Sequence, residues 1–319
     1  MLAYATRRLA ATIPLLLIGT FIVYWLVSQI ADPLGRLATC NTCDQSAYDR
    51  LIELYDLDQS VPVRYTNWIS GAVTGDFGVA PSQGEIPVAD IFWERAKNSA
   101  IIAVPAFMLV ASMALLLGVF SAIRQYKPSD YAITSVSFLG IAFPTFFLGV
   151  VLQIFWGIWW PDWTGTKPFF ITGKHTGSLL ELVQSATLPI ITLATVFVAT
   201  ESRFARASML EVINSDYIRT ARAKGLSERR VILRHGLRNA MIPIVTLWAL
   251  DFAALLGGSV VTESVFAWPG LGPLFLTALG GQDLNLMMAI VLFASVLAIV
   301  FNLLADLLYG VLDPRIRYD

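Results

Sequence analysis

Residues 100–123 read AIIAVPAFMLVASMALLLGVFSAI, an unbroken run of 24 residues without a charged side chain. The hydrocarbon core of a bilayer is about 30 Å thick and an α-helix rises about 1.5 Å per residue, so about 20 apolar residues can cross it. Backbone polar groups in lipid must be hydrogen-bonded within their own segment, which favours a helix. The segment Ala100–Ile123 therefore predicts a membrane-spanning helix.

Five other apolar runs lie on either side of this segment. The six predicted spans are Leu9–Ile30, Ala100–Ile123, Tyr131–Trp160, Leu188–Thr200, Ala240–Val261 and Leu286–Leu308. Pro144 predicts a kink in the third span, because proline removes a backbone donor. The fourth span is short, since Glu201 follows it directly. The predicted fold is an all-α integral membrane protein with six transmembrane helices.

The composition of the 319-residue chain agrees with this fold class. Hydrophobic residues make up 56% of the chain and charged residues 14%, whereas an ordinary soluble protein has about 25% charged residues. Such a composition excludes an intrinsically disordered chain and a secreted disulfide-rich mini-protein. The net charge of −1 argues against a basic nucleic-acid-binding protein.

The distribution of basic residues predicts the orientation, because Lys and Arg favour the cytoplasmic side of a membrane. The predicted inner segments hold 15 of the 22 Lys and Arg residues, and the longer outer segments hold 7. Both termini are therefore predicted to be cytoplasmic. Residues 31–99 then form a large outer loop, and residues 203–239 form an inner loop.

The outer loop is predicted to be partly helical. Apolar and aromatic residues recur there at helical spacing, with acidic residues between them: Tyr48, Leu51, Ile52 and Tyr55. This pattern is typical of a short amphipathic helix. We expect this helix to pack on the outer ends of the spans rather than to bind a ligand.

The two cysteines, Cys40 and Cys43, lie in the same loop as Cys-Asn-Thr-Cys. A structural zinc ion needs four ligands, and the two histidines, His175 and His235, are predicted on opposite sides of the membrane. A redox motif would need a βαβ context, which the sequence lacks. Because an outer compartment is oxidising, the preferred hypothesis is a disulfide between Cys40 and Cys43.

The inner loop has the pattern of a helix, a sharp turn and a second helix. Asp216 is a candidate N-cap for a helix over Tyr217–Lys224, and Gly225 fits the following position, where a positive φ is needed. Ser227 is a candidate N-cap for the second helix. A helix of two turns is not stable alone, so it needs a docking surface, either in its own bundle or on a partner protein.

Leu226 and Val231 are spaced as a hydrophobic staple across the start of the second helix. Basic residues of the first helix either serve orientation only or contact acidic groups of a partner, and the residues alone do not separate these readings.

No motif for an energy source or a hydrolase is present. Gly173-Lys174 is followed by His175, and Pro168 occupies the position of the first glycine of a phosphate-binding loop. Neither a Gly-x-Ser-x-Gly elbow nor a His-Glu-x-x-His motif occurs. Asp251 is the one clear acid in the interior of a predicted span, while Asp306 and Glu201 lie nearer the inner ends. Asp251 either bonds to a neighbouring helix or faces a polar pathway. These features favour a pore subunit driven by another chain over a gradient-driven carrier.

Several separated motifs resemble one family. The stretch Asp216–Ser227, DYIRTARAKGLS, followed by Arg238-Asn239-Ala240 and Pro243, resembles the EAA loop of ABC importer permeases, most closely the B-type permeases of dipeptide, oligopeptide and nickel systems. The family's opening Glu-Ala-Ala appears here as Thr220-Ala221-Arg222. The other matching stretches are Gly75–Gly78 (GDFG), Glu263–Gly272 (ESVFAWPGLG) and Asn302–Arg315 (NLLADLLYGVLDPR).

The resemblance implies a type I ABC importer permease with six transmembrane helices and a partly helical extracytoplasmic loop after the first. Residues 1–99 would form the N-terminal anchor helix and this loop, and residues 100–319 a five-helix permease core with a cytoplasmic coupling loop at about 203–239. The ATPase-coupling residues would be Tyr217, Ile218, Arg219, Thr220, Ala221, Arg222, Ala223, Lys224 and Gly225. Such a permease is not itself an enzyme and needs no cofactor.

The resemblance also implies the partners. These are a second, C-type permease subunit, two ABC ATPase subunits, an extracytoplasmic peptide-binding protein and membrane lipid, with no nucleic acid. The implied function is ATP-driven import of di- or oligopeptides across the plasma membrane of a prokaryote. The alternatives are import of nickel or another small solute, or a gradient-driven carrier.

Overall fold

The computed structural model describes residues 2–31, 34–35, 45–257 and 259–312. The predicted disulfide between Cys40 and Cys43 lies outside these residues. The helices are α1 (Leu2–Ile30), α2 (Gln45–Leu54), α3 (Val61–Thr74), α4 (Val88–Ile123), α5 (Pro128–Ala142), α6 (Thr145–Thr164, with a π-helical turn at Phe155–Trp159), α7 (Leu179–Ile213), α8 (Asp216–Ala223), α9 (Leu237–Leu256), α10 (Val260–Val265), α11 (Leu271–Gly280) and α12 (Leu284–Leu312). Two short strands, β1 (Val79–Ala80) and β2 (Ile86–Pro87), pair antiparallel.

The six predicted spans are found as helices in the described part of the chain. Five helical segments are long and apolar enough to cross a membrane, and the pair α5 and α6 adds a sixth if it is one span. The all-α membrane fold predicted from the sequence is confirmed.

The third span differs from the prediction of a single kinked helix over Tyr131–Trp160. The chain breaks at Phe143–Pro144, and α5 and α6 meet there at 98°. The break is larger than a kink because both Phe143 and Pro144 adopt extended ψ angles, which end one helix before the next begins.

The helices that contain three other predicted spans have bounds that differ from those of the spans. The fourth, Leu188–Thr200, lies within α7, which continues through Glu201 and Arg206 to Ile213. Polar side chains are tolerated there because neighbouring helices bury them. The second begins at Val88 rather than Ala100. The fifth, Ala240–Val261, is divided between α9 and α10.

The predicted outer loop packs on the ends of the spans, as expected. Its amphipathic helix is α2, and Tyr55 just after it is buried beside Trp68 of α3, Tyr24 of α1 and Met288 of α12. The carboxylate of Asp283, at the start of α12, accepts hydrogen bonds from the backbone N–H and the hydroxyl of Ser82, at 3.1 and 2.8 Å. The outer loop is therefore attached to both the first and the last span.

Candidate functional site

The short helix α8 connects the end of α7 to the segment that leads into α9. The residue before its first turn is Ser215, whose extended backbone (ψ 154°) marks the N-cap; the predicted cap at Asp216 was wrong by one position. The Ser215 hydroxyl donates to the Val212 carbonyl at 2.6 Å, so the N-cap residue bonds back to α7 through its side chain and makes no side-chain capping bond to α8. Asp216 lies in the first turn of α8, where its charge complements the helix dipole.

The turn after α8 has the predicted geometry. Gly225 has a φ of +76°, a value that L side chains rarely adopt because Cβ then crowds the backbone. Its N–H donates to the Arg222 carbonyl at 2.9 Å. No atom outside the turn lies within 4 Å of a Cβ built at this position, so the backbone alone requires glycine.

One face of α8 is covered by its own loop. Ile218 and Ala221 are buried in a cluster with Val231, and Val212 and Leu226 pack against it. Leu226 and Val231 are the two residues predicted to form a hydrophobic staple. The bundle thus supplies part of the docking surface that a two-turn helix needs.

The opposite face of α8 is open. Of the nine residues predicted to couple to an ATPase, Ile218 and Ala221 point inward, and the other seven are exposed: Tyr217, Arg219, Thr220, Arg222, Ala223, Lys224 and Gly225. The structure therefore divides the predicted site into a supporting face and a surface available to another protein.

Two ion pairs lie on this surface. Arg222 donates through Nε to Glu228 Oε1 at 2.8 Å, across the Gly225 turn, and Arg219 pairs with Asp216. Exposed pairs of this kind contribute at most about 1 kcal/mol. Both guanidinium groups can therefore exchange these acids for those of a protein partner.

A polar cluster that sequence reasoning missed lies next to this site. Arg206 of α7 donates to the carboxylate of Asp130 in the first turn of α5, and Ser121 of α4 donates to the same carboxylate. The Asp130 side chain is 4% exposed. The cluster joins three helices at the predicted inner ends of the spans. Its only sequence signal is an acid and an arginine close to span ends.

Asp251, the predicted pathway residue, lies on α9 and is half-buried. Its carboxyl group faces that of Glu201 on α7, which is 4% exposed. One oxygen of each group, Asp251 Oδ2 and Glu201 Oε2, has no hydrogen-bond partner among the described residues. Asp251 therefore meets a neighbouring helix, and its role in a polar pathway stays a prediction.

The stretch Glu263–Gly272 forms a buried polar cluster at the predicted outer side. Glu263 accepts hydrogen bonds from Ser99 Oγ and from the Gly272 N–H, both at 2.7 Å. The indole of Trp268 is fully buried and donates to the Asn98 carbonyl at 2.8 Å. This stretch therefore attaches α10 and α11 to α4, which gives it a packing role.

Two family profiles match the chain end to end. Residues 114–318 match the profile described as the inner membrane component of binding-protein-dependent transport systems, and residues 1–114 match the N-terminal part of such membrane components. The chain belongs to this family of transport-system inner membrane components. This protein is thus a membrane component of a transport system.

Curated relatives align over nearly the whole length of this family member. It is 38% identical to the oligopeptide transport system permease protein AppB of Bacillus subtilis, with all of both chains aligned. It is 36% identical to the oligopeptide transport system permease protein OppB of Mycobacterium tuberculosis, with 99% of each chain aligned. It is 35% identical to the glutathione transport system permease protein GsiC of Escherichia coli, again over 100% of both chains.

A solved structure has the same fold. The chain resembles the MetNI methionine ABC transporter, in its inward-facing conformations, with a TM-score of 0.54 and 16% identity. The match covers 70% of this chain and 96% of that chain. The fold is therefore that of an ABC importer permease, as the sequence motifs predicted.

Proposed function

We propose that this permease is the pore-forming subunit of an ATP-driven importer for di- or oligopeptides. The observation that carries the proposal is the full-length similarity to permeases named for oligopeptide and glutathione transport. Glutathione is itself a small peptide, so these names share one substrate chemistry. A nickel or other small-solute importer has no comparable support.

The exposed face of α8 is the proposed contact with an ABC ATPase subunit. Seven of the nine α8 and turn residues predicted for this role are exposed, while Ile218 and Ala221 hold the helix on the bundle. A helix supported from one side can transmit force delivered to the other. Arg219, Arg222 and Lys224 give the exposed face a positive charge that suits acidic residues of the partner.

The remaining partners follow from the same role. A second, C-type permease would complete the pore, two ABC ATPase subunits would bind inside, and an extracytoplasmic peptide-binding protein would deliver substrate. Both termini would be cytoplasmic in the plasma membrane of a prokaryote. In this arrangement residues 1–99 form the anchor helix and outer loop, and residues 100–319 form the permease core.

Uptake by the reconstituted complex tests the proposal. The permease is placed in proteoliposomes with its second permease, its ATPase subunits and its binding protein, and uptake is measured for a panel of peptides and for Ni²⁺. ATP-dependent uptake of peptides is expected. Uptake by the permease alone, driven by an ion gradient, would contradict the proposal. ATP-dependent uptake of Ni²⁺ but not of peptides would show that the substrate is a metal ion rather than a peptide.

A further inference from the structure

The ion pair between Asp130 and Arg206 has a geometry that fixes both side chains. Arg206 Nε donates to Asp130 Oδ1 and Nη2 donates to Oδ2, each at 2.8 Å. This two-point contact sets orientation as well as distance, which a lysine cannot do. The Tyr126 N–H also donates to Asp130 Oδ2 at 3.0 Å, and Ser121 donates to Oδ1. The carboxylate is therefore attached to α4, to α7 and to the turn that begins α5.

Two close helix contacts accompany the ion pair. A Cβ at Gly118 of α4 would lie 2.6 Å from Ala205 Cβ on α7 and 2.7 Å from the Ser202 carbonyl. A Cβ at Gly140 of α5 would lie 2.9 Å from Ala199 Cβ on α7. These close approaches oppose sliding at the two contact points, and α4, α5 and α7 also line an apolar cavity of about 410 Å³ farther along. We therefore treat α4, α5 and the inner half of α7 as one body.

The coupling helix α8 follows directly after α7, and the end of α7 is itself packed against α4 and α9. Met209 of α7 is fully buried with Ala122 of α4 and Ala240 of α9, and a Cβ built at Gly236 would lie 3.0 Å from its Cε. The Ser208 hydroxyl donates to the Ala240 carbonyl at 2.8 Å. Movement of α8 therefore reaches the end of α7 first, and Arg206 lies two turns earlier on the same helix.

The opposite end of α5 is a break in the helical backbone and can act as a hinge. The chain breaks at Phe143–Pro144, where α5 and α6 meet at 98°. We propose that the Asp130–Arg206 ion pair transmits the movement of α8 from α7 to α5, so that the bend at Phe143–Pro144 takes up the motion. Asp130 and Arg206 are then positioning residues of the importer, and this inference rests on the proposed function because an ATPase must move α8.

The test uses the complete complex in proteoliposomes and measures substrate imported per ATP hydrolysed. Arg206→Lys keeps the charge and removes the two-point geometry. We expect the ATP consumed per substrate to rise at least about fivefold, the lower end of coupling between linked sites. Ser121→Ala removes one hydrogen bond from the carboxylate and should shift the ratio the same way by less. Arg50→Lys is the control, since Arg50 forms an exposed ion pair with Glu85 in the outer loop.

A distance measurement separates transmission from simple support. Spin labels are placed at the exposed positions Leu139 on α5 and Asp216 at the start of α8. With Arg206 intact, the distance between the labels should be the same with and without nucleotide. In Arg206→Lys the distance should change with nucleotide. An unchanged ratio of import to ATP in the assembled Arg206→Lys complex would overturn the inference. A distance between the two labels that changes with nucleotide while Arg206 is intact would also overturn the inference. Absence of ATP-driven import by the wild type would instead refute the proposed function.

Discussion

Ile218 of α8 and Val231, the first residue of the π-helical turn Val231–Gly236 that leads into α9, lie in one apolar cluster, and each is 1% exposed. These two residues lie on either side of the Gly225 turn, so their contact holds α8 against the rest of the loop. The exposed side of α8 is free for a partner only because this contact orients it.

Gly225→Val should uncouple ATP hydrolysis from transport. A β-branched residue at a φ of +76° strains the backbone by about 1–2 kcal/mol and shifts α8 against its cluster. ATPase activity and substrate uptake by the reconstituted complex are measured together, and uptake per ATP should fall. The control is Gly84→Val in the outer loop, where φ is +81° and the added Cβ also meets open space. Equal uptake per ATP in Gly225→Val and Gly84→Val would show that the Gly225 turn has no special role in coupling.

Ile218→Ala and Tyr217→Ala should weaken binding of an ATPase subunit for different reasons. Removing the buried side chain costs about 2–5 kcal/mol, so α8 should lose protection from hydrogen exchange. Tyr217 is 44% exposed, and its removal should leave exchange unchanged. The prediction fails if hydrogen exchange of α8 responds equally to the two substitutions.

Reversing exposed charges should weaken association in a salt-dependent way. Arg219→Glu combined with Arg222→Glu removes two cations from the surface of α8 and should slow binding of the ATPase subunit, more at low ionic strength than at high. Glu228→Gln is the matched variant: it removes the acid of the exposed pair with Arg222 and should change stability by less than about 1 kcal/mol. Binding that is insensitive to the double reversal would exclude a basic docking face.

Asp251→Asn should lower the rate of import while leaving the complex assembled. Asparagine has nearly the same shape, so packing against Glu201 is preserved and only the acid is lost. Glu201→Gln changes the facing carboxyl group, which is 4% exposed, and tests whether the two acids act together. Unchanged import by Asp251→Asn would leave this residue with a packing role only.

Cys40 and Cys43 should form a disulfide. Thiol titration of the purified permease is expected to find no reactive thiol before reduction and two after it, because the outer compartment is oxidising. Two thiols in the native, non-reduced protein would exclude the bond.

Local features were predictable and interhelical ones were not. The positive φ at Gly225 and the packing of Leu226 and Val231 in one cluster follow from neighbouring residues, whose preferences act within one turn. The N-cap was displaced from Asp216 to Ser215 because both residue types suit that position. Hydropathy located the six spans but ended the fourth at Thr200, since Glu201 and Arg206 are unfavourable in lipid unless other helices bury them.

The Asp130–Arg206 contact joins residues 76 positions apart, and periodicity carries no information about such a pair. The break at Phe143–Pro144 was underestimated for a related reason. Proline indicates where a helix is interrupted, but the angle depends on what each half packs against.

The most direct test of the account is photo-crosslinking from α8 in the assembled complex. A photoreactive amino acid replaces Tyr217 on the exposed face, and the control carries it at Val73 of α3, which is 81% exposed in the outer loop. The account predicts a crosslink from position 217 to an ABC ATPase subunit and none from position 73. Labelling of position 217 by an impermeant reagent outside intact cells, or a crosslink to the ATPase from neither position, would contradict it.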